Sequence, residues 1–188
     1  METKDEIIRL AKEYVEKFPE QKEEAEPLIG FLNSHEGASL IDRKNFTGHI
    51  TTSAFIIDSS ATALLLLKHK FLNRWLQPGG HADATDATLL ASAVREAKEE
   101  TGLELKHFPL FSSSIFDINS HFIPENSRKQ EPSHVHHDIR YLFQCRPDQV
   151  INISLEESAD SRWVSFKELE RDRDFSVVVK KILAALES

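Results

Sequence analysis

Glu96, Glu99 and Glu100 stand at i, i+3 and i+4 in the run Arg95-Glu96-Ala97-Lys98-Glu99-Glu100-Thr101-Gly102-Leu103. On a helix turning about 100° per residue, the three carboxylates share one narrow sector. Leu90, Ala93, Val94, Ala97 and Thr101 fall on the opposite side, the apolar stripe of a core-facing helix. Clustered anions repel one another, so such a sector is stable only in solvent or beside a cation. An all-oxygen ligand set suits the hard cations Mg²⁺ and Mn²⁺, which also bind phosphates. A Glu-rich face by itself is usually just solvated. Here a diglycine turn, Gly79-Gly80, precedes the helix, and Gly102 closes it at the C-cap position.

In that setting the pattern resembles the Nudix box, G-x5-E-x7-R-E-U-x-E-E-x-G-U, where U is a bulky aliphatic residue. Arg95, Glu96, Glu99, Glu100, Gly102 and Leu103 match in register. The first half departs from the pattern. Counting from Gly80, the early glutamate position holds Asp86, Arg95 falls one residue late, and the first U is the small Ala97. A one-residue insertion within Ala82 to Thr88 accounts for this and leaves Asp86 or Thr88 as the expected helix N-cap.

The resemblance implies hydrolysis of a pyrophosphate linkage in a nucleoside diphosphate joined to another moiety, with Mg²⁺ or Mn²⁺ as cofactor. It implies Glu96 and Glu100 as principal metal ligands, and Glu99 as a further ligand or the group orienting the water. The carbonyl of Gly80 (or of Gly79) would complete the metal shell, and Arg95 would hold one carboxylate by an ion pair. The general base is left among Glu96, Glu99 and a remote glutamate, Glu156 or Glu157, before Arg162-Trp163. Two other readings share the family: a non-catalytic nucleotide-sensing domain, which often loses box glutamates kept here, and an isopentenyl-diphosphate isomerase-like enzyme. The latter needs a catalytic cysteine in a loop motif absent from this chain.

A second constellation has period 2. His134, His136, Asp138 and Arg140 share one face of a predicted strand, with Val135, Ile139, Tyr141 and Phe143 mostly on the other. Asp117, Asn119 and His121 alternate similarly with Phe116, Ile118 and Phe122. Three readings stand: a substrate-lining row, an exposed histidine-rich loop end, or a zinc site made by His121, His134 and His136. The runs Trp75-Leu76-Gln77-Pro78-Gly79-Gly80-His81 and His-x-His-x-Asp-x-Arg-Tyr at 134–141 are similar to a bacterial Nudix subgroup. There the row would line the substrate cleft, with Arg140 suited to bidentate phosphate recognition and His81 at the cleft mouth.

The elements that must position these residues follow from periodicity. Residues 4 to about 33 are helical, with Ile7, Ile8, Leu10, Ala11, Tyr14, Val15 and Phe18 in one stripe. Strands are predicted at His49 to Asp58, Ala63 to Lys68, Arg74 to Gln77, Phe111 to Ile123, His134 to Cys145 and Arg162 to Val164, and a terminal helix near Phe175 to Leu186. The mixture predicts an α/β/α sandwich around a central mixed sheet, the fold the resemblance also implies. It divides into an N-terminal helical extension, 1–45, and a Nudix domain, 46–188.

The 188 residues are 40% hydrophobic and 29% charged, with a formal net charge of −8. That balance excludes non-specific nucleic-acid binding, which needs a cationic surplus. The expected partner is a small nucleotide-type molecule, and many relatives form homodimers. No apolar run is long enough to span a membrane, and the first residues show no signal-peptide pattern. Cys145 is the single cysteine, so no intrachain disulfide forms and a reducing, cytoplasmic setting is expected.

Overall fold

The structure, a computed structural model, describes residues 1–105, 114–127, 130–145, 149–156 and 158–187. Helices α1 (Lys4–Lys17) and α2 (Lys22–Ser34) come first. Strands β1 (His49–Ile57), β2 (Ala63–His69), β3 (Arg74–Leu76) and β4 (Gly79–His81) lead into helix α3 (Leu89–Thr101). Strands β5 (Asp117–Ile123), β6 (His134–Gln144) and β7 (Ser158–Ser165) precede helices α4 (Phe166–Leu169) and α5 (Ser176–Leu186). The strands form one mixed sheet with the path β3-β2-β1-β6-β5, on which β4 pairs with β1 and β7 with β2, giving an α/β architecture.

The packing resolves into two compact units, and β1, β6 and α3 each run through both. The first comprises Met1–Ser53, Gly79–Glu96 and Ser113–Tyr141. Its α1 begins with a capping box in which Thr3 and Glu6 satisfy each other's backbone N–H groups. The buried side of α1 is Ile7, Ala11 and Tyr14, narrower than the seven-residue stripe expected, because Ile8, Leu10, Val15 and Phe18 are only half-buried at its margin. Ala25, Leu28, Phe31 and Leu32 are the buried side of α2, and Phe31 stacks on His137 of β6 with ring centroids 4.6 Å apart. β5 and β6 pair antiparallel from Asp117↔Arg140 to Ile123↔His134.

The second unit comprises Ala54–Pro78, Ala97–Ser112 and Leu142–Ser188. Leu64, Leu65, Leu66 and Leu67 of β2 are buried, and β2 pairs with β7 from Ala63↔Ser165 to His69↔Ser158. β7 is longer than the three residues expected, because β2 offers it a full edge. Val178, Val179 and Ile182 are the apolar side of α5. β5 starts at Asp117, so the early part of the long strand expected from Phe111 is not strand at 114–116, and 111–113 lie outside the described residues.

Candidate active site

Gly79 and Gly80 are strand residues, not the turn their composition suggests. Thr52↔Gly80 and Ser53↔Gly79 pair antiparallel between β1 and β4. The reason for glycine lies in what surrounds each Cα. A Cβ on Gly79 would stand 2.3 Å from Ser53 Oγ and 2.6 Å from the Thr52 carbonyl oxygen. A Cβ on Gly80 would stand 2.4 Å from Glu96 Oε2. The second glycine is therefore a cradle for the Glu96 carboxylate.

Helix α3 brings Glu96 there. Thr88 Oγ1 accepts the Ala91 N–H at 3.0 Å, and Glu2 accepts the Leu89 N–H at 2.7 Å, so both act on donors of the first turn. Thr88, not Asp86, is the side chain of this loop that caps the helix. Gly102 closes α3 with φ +72°, donating its N–H to the Lys98 carbonyl at 2.8 Å. The buried stripe is Leu89, Ala93, Ala97 and Thr101, with Ser92 beside it. Leu90 and Val94, expected in that stripe, are half-buried at its edge, since the helix is rotated to put Leu89 inward. Burying Leu89 contributes about 2 kcal/mol toward anchoring the helix. Along the same helix Glu99 is exposed and Glu100 is buried at 8% exposure.

Arg95 organises the start of this glutamate run. Its Nε and Nη2 each donate to Asp86 at 2.9 Å, its Nη1 to Glu96 Oε1 at 2.8 Å, and its Nη2 also to the His81 carbonyl at 3.0 Å. The hydrogen bonds from Arg95 hold the Asp86 carboxyl below its ordinary range, and Asp86 in turn keeps Arg95 protonated. The expected ion pair between Arg95 and a box glutamate is present, and Asp86 is its second acceptor. A bidentate fork fixes the plane of the guanidinium and with it the position of Glu96.

The polar row on β6 and β5 is a buried network. Arg140 donates to Asp138 at 2.7 Å, to Asp117 at 3.2 Å and to Asn119 at 3.2 Å, with its side chain 13% exposed. Asp138, 2% exposed, also accepts from Thr51 at 3.2 Å and from Ser53 at 2.8 Å. The Arg140 guanidinium is thus committed to neighbouring acceptors, which the register Asp117↔Arg140 and Asn119↔Asp138 brings opposite it.

The histidines are not an exposed loop end. His134 and His137 are buried, and His136 is half-buried in mid-strand. His137, on the face away from the row, meets Phe31 and Ser120 as a core residue. Burial, then the neighbouring His49, His121 and His35, lowers its pKa to about 4. Burial together with His49, His81, His121 and His134 lowers His136 to about 2. Among the described residues the trio that converges is His49, His81 and His136, whose ligand atoms all lie within 4.8 Å of one another. It is not the expected set of His121, His134 and His136. His121 lies across the pair from His136, with ring centroids 5.7 Å apart and Nδ1 turned to Asn119. His49, fully buried at the start of β1, was invisible to sequence reasoning. No local period links it to β6, and only its unusual place at the head of an apolar strand could have drawn attention.

Glu156 is exposed in the turn before β7, and Glu157 lies outside the described residues. Cys145 is buried against the core, its N–H donating to the Ile57 carbonyl, which fits a packed thiol and not a nucleophile. Among the described residues no helix is long and apolar enough to cross a membrane.

Comparison with known proteins bears on this arrangement. A "Probable DHNTP pyrophosphohydrolase" of Lactococcus lactis subsp. cremoris is 29% identical over 127 residues, 68% of this chain and 74% of the relative. The crystal structure of a C. elegans Ap4A hydrolase is similar with a TM-score of 0.53 and 16% identity, covering 73% of this chain and 97% of that one. A NUDIX-family hydrolase from Clostridium perfringens is similar with a TM-score of 0.50 and 24% identity over 73% and 97% of the two chains. The solved structures share the fold. The family model described as NUDIX domain matches residues 47–186, so the chain belongs to the NUDIX domain family and is a Nudix-type hydrolase.

Proposed function

We propose that this hydrolase cleaves a pyrophosphate linkage in a nucleoside diphosphate joined to another moiety, with Mg²⁺ or Mn²⁺ as the working cation. The observation that carries the reading is the Glu96 carboxylate seated on the bare Cα of Gly80 and clamped by Arg95. Such a cradle fits a hard cation. Its side-chain donors are carboxylate oxygens, and a glycine backbone beside them leaves room for an ion and for a carbonyl ligand. Divalent metal use is general in the family. Glu96 and Glu100, with the Gly80 carbonyl, would hold the ion, and Glu99 would add a ligand or orient the water. When bound, the ion neutralises phosphate oxygens and lowers the pKa of coordinated water.

The remaining steps belong to the chain's own groups. Arg95 holds the Glu96 carboxylate oriented by its hydrogen bond, so no rearrangement of the carboxylate is needed when substrate arrives. Glu96, Glu99 and Glu156 are the described candidates to take the proton from water, with Glu157 alongside them. Asp138 and Arg140 stiffen the sheet face, and His81, His121, His134 and His136 present its polar surface to the substrate. The match over 47–186 supports taking 46–188 as the catalytic domain and 1–45 as a helical extension.

The test is a substrate panel assayed with Mg²⁺ and Mn²⁺, including ADP-ribose, dinucleotide polyphosphates and the DHNTP named for the Lactococcus relative. Release of phosphate, pyrophosphate or a mononucleotide, lost in Glu96→Gln, supports the reading. Nucleotide binding without turnover across the panel would replace it with a sensing domain.

A further inference from the structure

We propose that His49, His81 and His136 form a second cation site, selective for a borderline transition-metal dication such as Zn²⁺ or Co²⁺ and distinct from the glutamate helix. The inference does not rest on the pyrophosphohydrolase reading.

Convergence is the first observation. Three elements far apart in sequence, β1, β4 and β6, bring one nitrogen each to within 4.8 Å of the others. The rings are tightly grouped: His49 to His136 is 4.7 Å between centroids, His49 to His81 is 5.1 Å, and His81 to His136 is 5.3 Å. A tetrahedral ion with nitrogen ligands at its usual bond length spaces them roughly 3.4 Å apart, so small ring movements close the site. The 3.1 Å between His134 Nε2 and His136 Nε2 shows that this cluster already packs imidazole nitrogens that closely.

The second observation is independent of spacing. His49 is fully buried, and its Nε2 has no hydrogen-bond partner among the described residues. Its Nδ1 faces the Asn45 carbonyl at 3.4 Å, an acceptor, which places the ring proton on Nδ1 and leaves Nε2 as a bare lone pair. A buried lone pair without a donor is costly in a protein interior unless something electron-poor fills the gap. A histidine whose other nitrogen donates to a backbone carbonyl is the usual form of a metal-ligating imidazole.

Neighbouring residues support the same arrangement. His134 Nδ1 lies 2.8 Å from the Pro132 carbonyl, so it carries the proton and its Nε2 accepts from His136. That bond fixes the His136 ring. On the other side, the His81 carbonyl accepts from Arg95, which anchors the β4 backbone. Nitrogen-only ligation selects against Mg²⁺, which prefers oxygen, so the two sites take different ions. Three protein ligands leave a position open to water or to an anionic oxygen, such as one of a phosphate.

The experiment uses the full chain, purified without a histidine tag, stripped with chelator and titrated with Co²⁺ under excess Mg²⁺. One equivalent is expected, with the intense visible bands of low-coordinate nitrogen-ligated cobalt, and Zn²⁺ should displace it. His81→Ala and His136→Ala should each weaken Co²⁺ binding by more than about a hundredfold, beyond the loss typical of an outer partner. Glu100→Gln should leave it intact. His81 is half-exposed, so its variant keeps the test open should His136→Ala fail to fold. Far less than one equivalent of Co²⁺, or an equivalent that both histidine variants retain, overturns the site. Loss of Co²⁺ in Glu100→Gln would instead put the ion on the glutamates and also overturn it.

Discussion

The Glu96 carboxylate occupies the space where Gly80 lacks a side chain, 2.4 Å from the point a Cβ would take. Gly79, its neighbour in β4, is glycine for a different reason: a Cβ there would meet the backbone of Thr52 and Ser53 at 2.6 and 2.8 Å. The two positions should therefore fail differently. In Gly80→Ala the obstacle is the far end of a flexible side chain, so the fold stands while the carboxylate leaves its place. We expect kcat to fall about a hundredfold with little change in Tm, the scale of a displacement near 1 Å. In Gly79→Ala the backbone must shift, costing about 1–3 kcal/mol of stability. Turnover and thermal melts of both variants check this, and wild-type turnover in Gly80→Ala would detach Glu96 from the chemistry.

Glu100 is the buried member of the helix glutamates. Glu100→Gln keeps its shape and removes one charge from a like-charged sector. Mg²⁺ affinity should drop, and turnover should fall by about a hundredfold or more, because a cation at the phosphates is worth several kcal/mol. Stability of the metal-free protein should hold or rise, since repulsion within the helix is relieved. Isothermal titration with Mg²⁺, kinetics and a urea melt separate these effects, and unaltered turnover would remove Glu100 from the metal site.

Asp86 and Thr88 divide two jobs that sequence alone could not separate. Thr88→Ala should cost about 1 kcal/mol, the usual value of a lost N-cap, with activity nearly kept. Asp86→Asn loses a bidentate partner of Arg95 and should cost about 1–2 kcal/mol near neutral pH while also lowering turnover through Glu96. The pH dependence has a defined sign. The folded Asp86 carboxyl sits below its ordinary 3.8, so its contribution is whole above that value and is lost as pH falls through the lower folded one. The stability gap between wild type and Asp86→Asn should narrow below pH ~4, whereas that of Thr88→Ala should not. A gap independent of acid would mean that the Arg95 pair adds nothing to folding.

Much of this was legible along the chain. The 3.6-residue period placed the three glutamates on α3, and the period of two placed His134, His136, Asp138 and Arg140 on one face of β6. What stayed hidden depends on pairing between distant strands. His49 joins the histidine cluster only because β1 lies beside β6 in the sheet, and no window of sequence contains both. Gly79-Gly80 reads locally as a turn, since glycine is a poor strand former. Close approach of Ser53 and of Glu96 decides otherwise. The Asp86 partnership with Arg95 spans nine residues across an irregular loop, beyond any helix spacing rule.

Arg140 shows most directly how burial changes a reading. As a free guanidinium it would grip phosphate, and Arg140→Lys would raise KM with stability unchanged. In the structure its three nitrogens serve Asp138, Asp117 and Asn119, and two of those acceptors are carboxylates buried with it. Removing the cation leaves two buried anions uncompensated, so Arg140→Ala should cost about 3–5 kcal/mol. Lysine keeps the charge but lacks the planar fork that reaches three acceptors at once, so Arg140→Lys should fall between Arg140→Ala and wild type. KM of the folded Arg140→Lys protein should stay near wild type, because the lost contacts lie within the sheet. Urea unfolding and Michaelis kinetics on the same samples decide the matter. A tenfold rise in KM with an unmoved urea midpoint would return Arg140 to the substrate, and the reverse pattern would fix it as the residue that holds β5 and β6 in register.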